Sequence, residues 1–300
     1  MTLIGKKIAI ICASGLGDSV MMTILATNGS KHAAITLFHP HPVPLIDLFP
    51  NIRIEHFDAY HPRDFDLSLV QNDHSARAYQ LDSYRQEGYP VIFICPKPSQ
   101  LATQADFIFD QQQTFVDNIL AISKKLFDSD SRNNSLERFH TLSRRNPKEV
   151  FIHYSNAKKS KLWPMKKMEA LYLWLKKTGF QPIFVMTEQE KQAFPWPQYP
   201  HLCGLTLPEL AHRMSLGSYF IGCDSGLGHF ASCLKLPTLT IAYDPYLMRV
   251  WRPGFHVNKL VAAPFKLPRL PFLGTLLRER CWHYFISVDR VKQAFMQLIR

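Results

Sequence analysis

The sequence has few cysteines and no long apolar run. Its six cysteines are scattered and form no C-x-x-C pair, which argues against a disulfide framework or a zinc site. Three of them, Cys12, Cys95 and Cys223, lie within apolar runs, which predicts buried free thiols in a reducing compartment. No run approaches the roughly 18 apolar residues of a transmembrane helix. We therefore expect a cytoplasmic protein.

The N-terminal segment has only a weak likeness to a signal peptide. Lys6 and Lys7 precede the apolar residues 8–13, but this run is short and no small-residue cleavage pattern follows it. We expect no secretion.

Acidic residues are fewer than basic ones. The 24 Asp and Glu against 35 Lys and Arg give a net charge of +11 and a pI near 9.4. This balance favours anionic partners such as nucleic acid, acidic lipid headgroups or phosphorylated sugars, although it is equally typical of a basic soluble enzyme. The apolar content of 46% excludes a disordered chain.

Short apolar runs alternate with helical patterns, which predicts an α/β fold built on parallel sheets. We found no internal repeat. The polar residues 128–147 indicate an interdomain linker. The economical architecture is two Rossmann-like domains, 1–140 and 148–300, with the last helix either on the second domain or packed back on the first. The strands are expected at residues 7–12, 34–38, 66–71, 90–95, 150–154, 182–186, 221–223 and 238–242, and the helices at 18–27, 115–127, 165–178, 207–214 and 288–299.

A glycine turn, Ser14-Gly15-Leu16-Gly17-Asp18, separates the first strand from the first helix. A dinucleotide-binding fingerprint would need a third glycine where Val20 stands and an acidic residue at the end of the second strand, which is missing. The turn is not a P-loop either. Asp18 therefore has two interpretations: an ordinary helix cap, or a functional carboxylate at the mouth between the two domains.

Three lysines, Lys158, Lys159 and Lys161, follow the first strand of the second domain. Ammonium groups in a loop at this place suit a diphosphate, although a solvated loop explains Lys158 and Lys159 equally well. Lys161 is the stronger candidate, because Trp163-Pro164 anchors the start of the next helix beside it.

The most informative segment is residues 221–245, in which an apolar strand leads through Asp224-Ser225-Gly226 into a helix. Glycine and the N–H groups of a first helical turn form a cradle for an anion, but Asp or Ser before a helix is also an ordinary cap. His229 lies about one turn further along, where it either faces the same ligand or packs in the core. Glu188 and Glu190 end another strand, where a carboxylate either receives a ribose hydroxyl or favours the helix dipole.

The histidines His39, His41, His56 and His61 are not expected to bind a metal. The prolines between them break any regular ligand spacing, and no Cys or Asp completes a set.

Together these motifs resemble the ADP-heptose–lipopolysaccharide heptosyltransferases, glycosyltransferase family 9. The turn at residues 14–18 resembles the family's S-x-L-G-D motif, and residues 65–70 resemble its Y-D-L-V-I-D strand. Residues 161–164 resemble its K-x-W-P element, and residues 224–238 its D-T/S-G-x-x-H…K-P-T element. Cys281 and residues 286–291 resemble the C-terminal part of the family's sequences. The matches follow in order over nearly the whole chain.

The resemblance implies a GT-B fold, in which two Rossmann-like domains face each other across a cleft, and an inverting sugar transfer without metal or cofactor. The first domain would bind the acceptor and the second the nucleotide-sugar donor, with an ADP-sugar favoured. Asp18 would be the catalytic base in an acceptor-side loop with Ser14, Gly15 and Gly17. The diphosphate would be bound by Lys161, Asp224, Ser225, Gly226 and His229, and the ribose by Glu190 or Glu188.

The sequence departs from the family at a compact first domain and at residues 154–157, which replace the usual small glycine or threonine residues. It also has residues 71–74 where Gln-Gly is common. A nucleotide-sugar-binding protein without transfer activity is therefore the main alternative. A nicotinamide-dependent enzyme lacks its third glycine here, and a nucleic-acid binder lacks any recognisable motif.

The acceptor would be a lipopolysaccharide-type, lipid-linked or other glycan. The basic, proline-rich loop at residues 265–273 could rest on an acidic membrane surface where such an acceptor is presented, or it could be a solvated loop.

Overall fold

The computed structural model describes residues 3–72, 75–95, 103, 105–140, 146–155, 161–264 and 281–300. The chain divides into two compact units, Met1–Glu137 and Arg138–Arg300. Each unit contains one parallel sheet with helices, as predicted. None of the helices in the described ranges is long and apolar enough to span a bilayer.

The first unit contains a five-stranded parallel sheet in the order β3-β2-β1-β4-β5. The chain fills one side of the sheet from β1 to β3 and then crosses to β4, so its topological switch point lies between β1 and β4. Ligands of open α/β sheets bind at the carboxyl ends of the strands at such a point. The strands are β1 (Lys7–Ile11), β2 (Ala34–His39), β3 (Arg53–His56), β4 (Leu67–Gln71) and β5 (Val91–Ile94), and the helices are α1 (Leu16–Gly29), α2 (Val43–Ile46), α3 (Ala76–Gln86) and α4 (Phe115–Phe127).

The apolar runs predicted as strands form the core of this unit. The four residues Ile8 to Ile11 of β1 are buried, as expected for a central parallel strand covered on both faces. α1 is also buried almost all round, because it packs between the sheet and α4. This burial fixes the turn between β1 and α1 rigidly at the carboxyl edge.

The second unit contains a six-stranded parallel sheet in the order β11-β10-β9-β6-β7-β8. Its switch point lies between β6 and β9. The strands are β6 (Glu149–His153), β7 (Gln181–Met186), β8 (His201–Cys203), β9 (Tyr219–Cys223), β10 (Thr238–Ala242) and β11 (Asn258–Ala262). The helices are α5 (Glu137–His140), which begins at the unit boundary, α6 (Met165–Lys177), α7 (Glu188–Gln192), α8 (Leu207–Ser215), α9 (Gly226–Cys233), α10 (Leu247–Trp251) and the C-terminal helix Val288–Leu298.

Large aromatic side chains fill the core of this unit. Trp163, Trp282 and Tyr172 are almost wholly buried in a cluster with apolar residues of β6, β9 and β10. The C-terminal helix packs against α6, β10 and β11 of the same unit, which is one of the two placements that the sequence left open.

The segment predicted as a linker is partly packed structure. The amide of Asn28 in α1 donates to the backbone oxygen of Ser131 at 2.9 Å, and the hydroxyls of Thr27 and Ser135 are 3.1 Å apart. Leu136 is fully buried. Residues 128–136, the first part of the predicted interdomain linker, therefore belong to the first unit and make local hydrogen bonds there. Residues 141–145 lie outside the described ranges.

Candidate active site

Asp18 lies in the first turn of α1, at the switch point of the first sheet. The helix begins after Gly15, whose extended backbone places it at the N-cap without any side-chain cap. A Cβ atom added to Gly15 would lie 2.5 Å from Oδ2 of Asp18. Glycine therefore leaves the space that this carboxylate occupies, and the carboxylate is partly exposed at the surface.

Gln71, the last residue of β4, fixes the orientation of Asp18. Its Oε1 accepts a hydrogen bond from the backbone N–H of Ala13 at 3.1 Å, so its amide nitrogen must point the other way. That nitrogen, Nε2, donates to Oδ1 of Asp18 at 2.7 Å. Gln71 is only 4% exposed. Residues 71–74 depart from the family's Gln-Gly pattern. The signal for the role of Gln71 was its position, as a polar residue that ends a buried strand.

The negative charge of Asp18 also acts on the buried thiol of Cys12. Burial, followed by the charge of Asp18, raises the pKa of Cys12 far above its usual range. The thiol therefore stays protonated, in agreement with the predicted free cysteine. The other two residues of the acceptor-side loop differ in burial: Ser14 is exposed and Gly17 is buried.

His39, at the end of β2, is a packed histidine. It is 4% exposed, and its Nδ1 accepts from the backbone N–H of His41 at 2.9 Å. Burial lowers its pKa, so it is neutral. Within the described residues no group of three or more His, Cys, Asp or Glu side chains is arranged to hold a metal ion.

At the switch point of the second sheet, His153 connects two of the predicted donor-site residues. It ends β6 and pairs with Gly222 of β9. Its Nδ1 lies 3.0 Å from the hydroxyl of Ser225, and its Nε2 lies 3.5 Å from Oε1 of Glu190. Sequence reasoning placed His153 within a strand and missed it. Its signal was again its position, as a polar residue ending a buried strand.

Glu190 is both a helix cap and part of this arrangement. Its Oε2 accepts from the backbone N–H of Thr187 at 2.8 Å in a capping box at the start of α7. Burial works to raise the pKa of Glu190, but hydrogen bonds from His153, Ser155 and Thr187 outweigh burial and lower the pKa to about 2. Glu190 is therefore ionised at neutral pH.

The second candidate ribose ligand, Glu188, lies elsewhere. It is exposed, and a Cβ atom on Gly204 would meet its Oε1 at 2.6 Å. Glu188 thus lies beside the end of β8, whereas Glu190 faces His153, so the structure separates the two carboxylates.

Lys161 and Asp224 form an ion pair at the carboxyl edge of β9. Nζ of Lys161 lies 3.0 Å from Oδ2 of Asp224, with both side chains partly exposed, and 5.3 Å from the centre of the Tyr243 ring. Trp163 anchors this lysine, since its backbone N–H and its indole N–H bond to Cys223 and Ile286. Asp224 therefore neutralises part of the positive charge of Lys161, which was predicted to bind a diphosphate.

Ser225 and Gly226 are partly exposed at the start of α9, while His229 is buried. Ser225 is the N-cap by position, but its side chain makes no capping bond. His229 is 6% exposed. Burial lowers the pKa of His229, although the negative charge of Asp224 acts to raise it. Its Nδ1 has no hydrogen-bond partner among the described residues. Lys158 and Lys159, residues 156–157 and the loop at residues 265–273 lie outside the described residues.

The chain is similar to known proteins in sequence over part of its length and in fold over all of it. Residues 120–261 match the family model "Glycosyltransferase family 9 (heptosyltransferase)". A search of curated proteins gave no match. The glycosyltransferase family 9 structure from Veillonella parvula DSM 2008 is 16% identical, with a TM-score of 0.70 over 100% of this chain and 98% of that chain. E. coli heptosyltransferase WaaC with ADP is 13% identical, with a TM-score of 0.67 over 97% and 99%.

A third similar structure is described as iron-containing. The dodecameric glycosyltransferase TibC from enterotoxigenic E. coli H10407 is 16% identical, with a TM-score of 0.62 over 99% of this chain and 77% of that chain.

These findings confirm the fold and the family resemblance predicted from the motifs. The two parallel-sheet units have the GT-B fold class of the heptosyltransferase structures. The match to the family 9 glycosyltransferase model is confined to residues 120–261.

Proposed function

We propose that this protein transfers a sugar of the heptose type from an ADP-sugar to a lipopolysaccharide-type glycan, with inversion and without a metal. The observation that carries the proposal is the carboxylate of Asp18, held by Gln71 at the switch point of the first sheet. The similar structures that contain ADP or ADP-2-deoxy-2-fluoro heptose support the choice of donor.

In the proposed reaction Asp18 is the general base. It accepts the proton of an acceptor hydroxyl, whose oxygen forms a bond to the anomeric carbon while the bond from that carbon to the nucleotide diphosphate breaks. Gly15 and Gln71 hold the carboxylate in one orientation, which reduces the entropy cost of reaching the reactive geometry.

The second unit would bind the donor. Lys161 and the backbone N–H groups at the start of α9 supply positive potential where negative charge develops on the departing diphosphate. Ser225 and Gly226 place that helix start at the carboxyl edge of β9. Asp224 supports the site by orienting Lys161, and His229 supports it as a buried residue of α9 itself. Glu190, ionised at neutral pH, would accept from a ribose hydroxyl, whereas Glu188 lies beside Gly204.

The proposal is tested by ligand binding and transfer in parallel. Wild-type protein is mixed with ADP-, UDP- and GDP-sugars, and thermal unfolding is followed. A bound donor at a hundredfold excess over its dissociation constant adds about 2.7 kcal/mol to the free energy of unfolding. Transfer is measured as nucleotide release with a lipopolysaccharide acceptor that lacks heptose. Asp18→Asn is expected to keep the thermal shift and lose at least ~100-fold in transfer rate.

Asp58→Asn is the matched control, because it removes an exposed carboxylate of the same unit that pairs with the neighbouring His56. It should keep both binding and transfer. No thermal shift with any nucleotide sugar would contradict the proposed function. A shift without transfer by the wild type would favour the non-catalytic binding protein, and loss of the shift in Asp18→Asn would make Asp18 structural.

A further inference from the structure

The buried imidazole of His153 lies between an ionised carboxylate and a hydroxyl at the start of a helix. It is 8% exposed, whereas Ser225 is partly exposed and accessible to a ligand. Ser225 occupies the N-cap of α9, but its side chain makes no capping bond there and contacts His153 instead. The Ser225 hydroxyl can therefore exchange its hydrogen bond to His153 for one to a ligand.

The protons in this arrangement can be assigned. Glu190 is ionised, since its pKa is about 2 after hydrogen bonds outweigh burial, and it can only accept. Nε2 of His153 therefore carries a hydrogen toward Glu190. When the imidazole is neutral, its other nitrogen, Nδ1, is an acceptor, and the single hydroxyl hydrogen of Ser225 then points at Nδ1.

A phosphate group at the start of α9 would conflict with this assignment. Phosphate oxygens accept hydrogen bonds, so Ser225 can donate to one only by withdrawing its hydrogen from His153. Two lone pairs, on Nδ1 and on Oγ, would then face each other across 3.0 Å. A proton added to Nδ1 removes this repulsion, because Nδ1–H then donates to Oγ. The negative charge of the phosphate further favours the imidazolium.

We propose that His153 is a positioning residue of the donor site, which takes up one proton from solvent when a nucleoside diphosphate binds and so frees the Ser225 hydroxyl to donate to a phosphate oxygen. The inference rests on the proposed function, since it assumes that the diphosphate lies at α9. No covalent bond changes.

Of the titratable groups near Ser225, His153 is the one that we infer takes up the proton. Burial raises the pKa of Cys223 and Tyr154 to about 12, so both stay neutral. Burial lowers the pKa of His229, with Asp224 opposing. Among the described residues, the remaining charges here are Glu190, from α7, and the ion pair of Lys161 and Asp224. Histidine is the side chain that ordinarily changes charge between pH 5 and 8.

The test is isothermal titration calorimetry of the full chain with ADP-glucose. This probe carries a diphosphate esterified at both ends, so the ligand itself does not titrate near neutral pH. Titration at pH 7 in PIPES, MOPS and Tris gives the number of protons taken up from the dependence of the measured heat on buffer. We expect uptake by the wild type, and an affinity that falls by up to tenfold per pH unit between pH 6 and 8.

His153→Asn removes the titrating group and keeps an amide near Ser225. We expect no proton uptake by this variant and an affinity constant within about twofold from pH 6 to 8. His39→Asn, a buried histidine of the first unit, is the matched control and should retain the uptake of the wild type. If His153→Asn does not fold, the ¹⁵N shifts of the wild-type imidazoles with and without ADP-glucose report the same protonation.

The outcomes separate the two proposals. Failure of the wild type to bind ADP-glucose overturns the ADP-type donor site and this inference with it. Binding without proton uptake, or with uptake that persists in His153→Asn, overturns the role of His153 and leaves the donor site standing. A merely structural role for His153 would lower affinity equally at every pH, which also contradicts the inference.

Discussion

Gln71 donates a hydrogen bond to Asp18 at 2.7 Å, and the backbone N–H of Ala13 holds the other end of the same amide. The bond joins the end of β4 to the first turn of α1, across the switch point of the first sheet. A candidate base is thus oriented by a buried side chain rather than by solvent. Two predictions concern the orientation of Asp18, and a third concerns the carboxylate of Glu190 in the second unit.

The first prediction is that Gln71→Met lowers the rate of sugar transfer without weakening donor binding. The substitution keeps the side-chain volume but leaves the Ala13 N–H without its acceptor, at a cost of about 1–3 kcal/mol in stability. We expect kcat to fall at least ~10-fold, because Asp18 is no longer held in one orientation. Steady-state kinetics and ADP-glucose affinity are the measurements.

Asn72→Ala is the control for Gln71→Met. It removes the neighbouring amide, which donates to the backbone oxygen of Cys95 at 2.9 Å rather than to Asp18. A kcat for Gln71→Met equal to that of the wild type would show that Asp18 needs no orientation by Gln71.

The second prediction is that Gly15→Ala disables Asp18 by steric contact alone. The backbone of Gly15, at φ −78° and ψ 138°, is open to alanine, so no backbone strain is involved. The added methyl would lie 2.5 Å from Oδ2 of Asp18 and displace the carboxylate. A misplacement of about 1 Å costs roughly 100-fold in rate, and we expect a loss of that order in kcat.

A double-mutant cycle checks the cause. If Gly15→Ala acts through Asp18, it should cost nothing further in an Asp18→Asn background, because non-additivity marks residues that act together. Equal losses in both backgrounds would mean that the methyl disturbs acceptor binding or the helix instead.

The third prediction concerns stability in acid. Hydrogen bonds from His153, Ser155 and Thr187 outweigh burial and lower the pKa of Glu190 from 4.5 to about 2. Because the folded-state pKa lies below the unfolded one, the contribution to stability is complete above pH 4.5 and is lost as the pH falls toward 2. Wild type should therefore exceed Glu190→Gln in its urea midpoint by a constant margin at neutral pH, and the margin should shrink below pH 4.5.

Glu188→Gln is the matched control on the same helix, because Glu188 is exposed. The difference in urea midpoint between the wild type and Glu188→Gln should be small and should not shrink below pH 4.5 as it does for Glu190→Gln. A margin for Glu190→Gln that does not change between pH 5 and pH 2.5 would contradict the predicted role of its charge.

Much of the fold was predictable because buried parallel strands are continuous apolar runs. β1, β5 and β6 were each recognised in this way from segments rich in isoleucine, valine and phenylalanine, and β10 from the run Thr-Leu-Thr-Ile-Ala. The short edge strands β3 and β8 were missed. β3 contains Arg53, Glu55 and His56, and β8 has only three half-buried residues. Neither has the apolar pattern of a central strand, because an edge strand is only partly covered.

The candidate site was predictable in its motifs but not in its contacts. Asp18, Lys161 and Ser225 were identified from the turns that follow strands, where α/β proteins place their ligands. His153 and Gln71 were not, because each is the last residue of an apolar run and looks locally like part of a strand. The capping interpretation of Ser225 was wrong for its side chain, since the hydroxyl is bonded to His153 instead.

The sequence by itself determined the alternation of strands and helices, the glycine turn at residues 14–18 and the motif at residues 224–229. These depend on local hydrophobic pattern and backbone freedom, which a short segment contains completely. Only the tertiary structure decided which polar side chains meet. Asp18 and Gln71 are 53 residues apart, Lys161 and Asp224 63, and His153 and Ser225 72. They come together because β1 lies beside β4 and β6 beside β9, an order that is set by the packing of whole sheets and not by any local pattern.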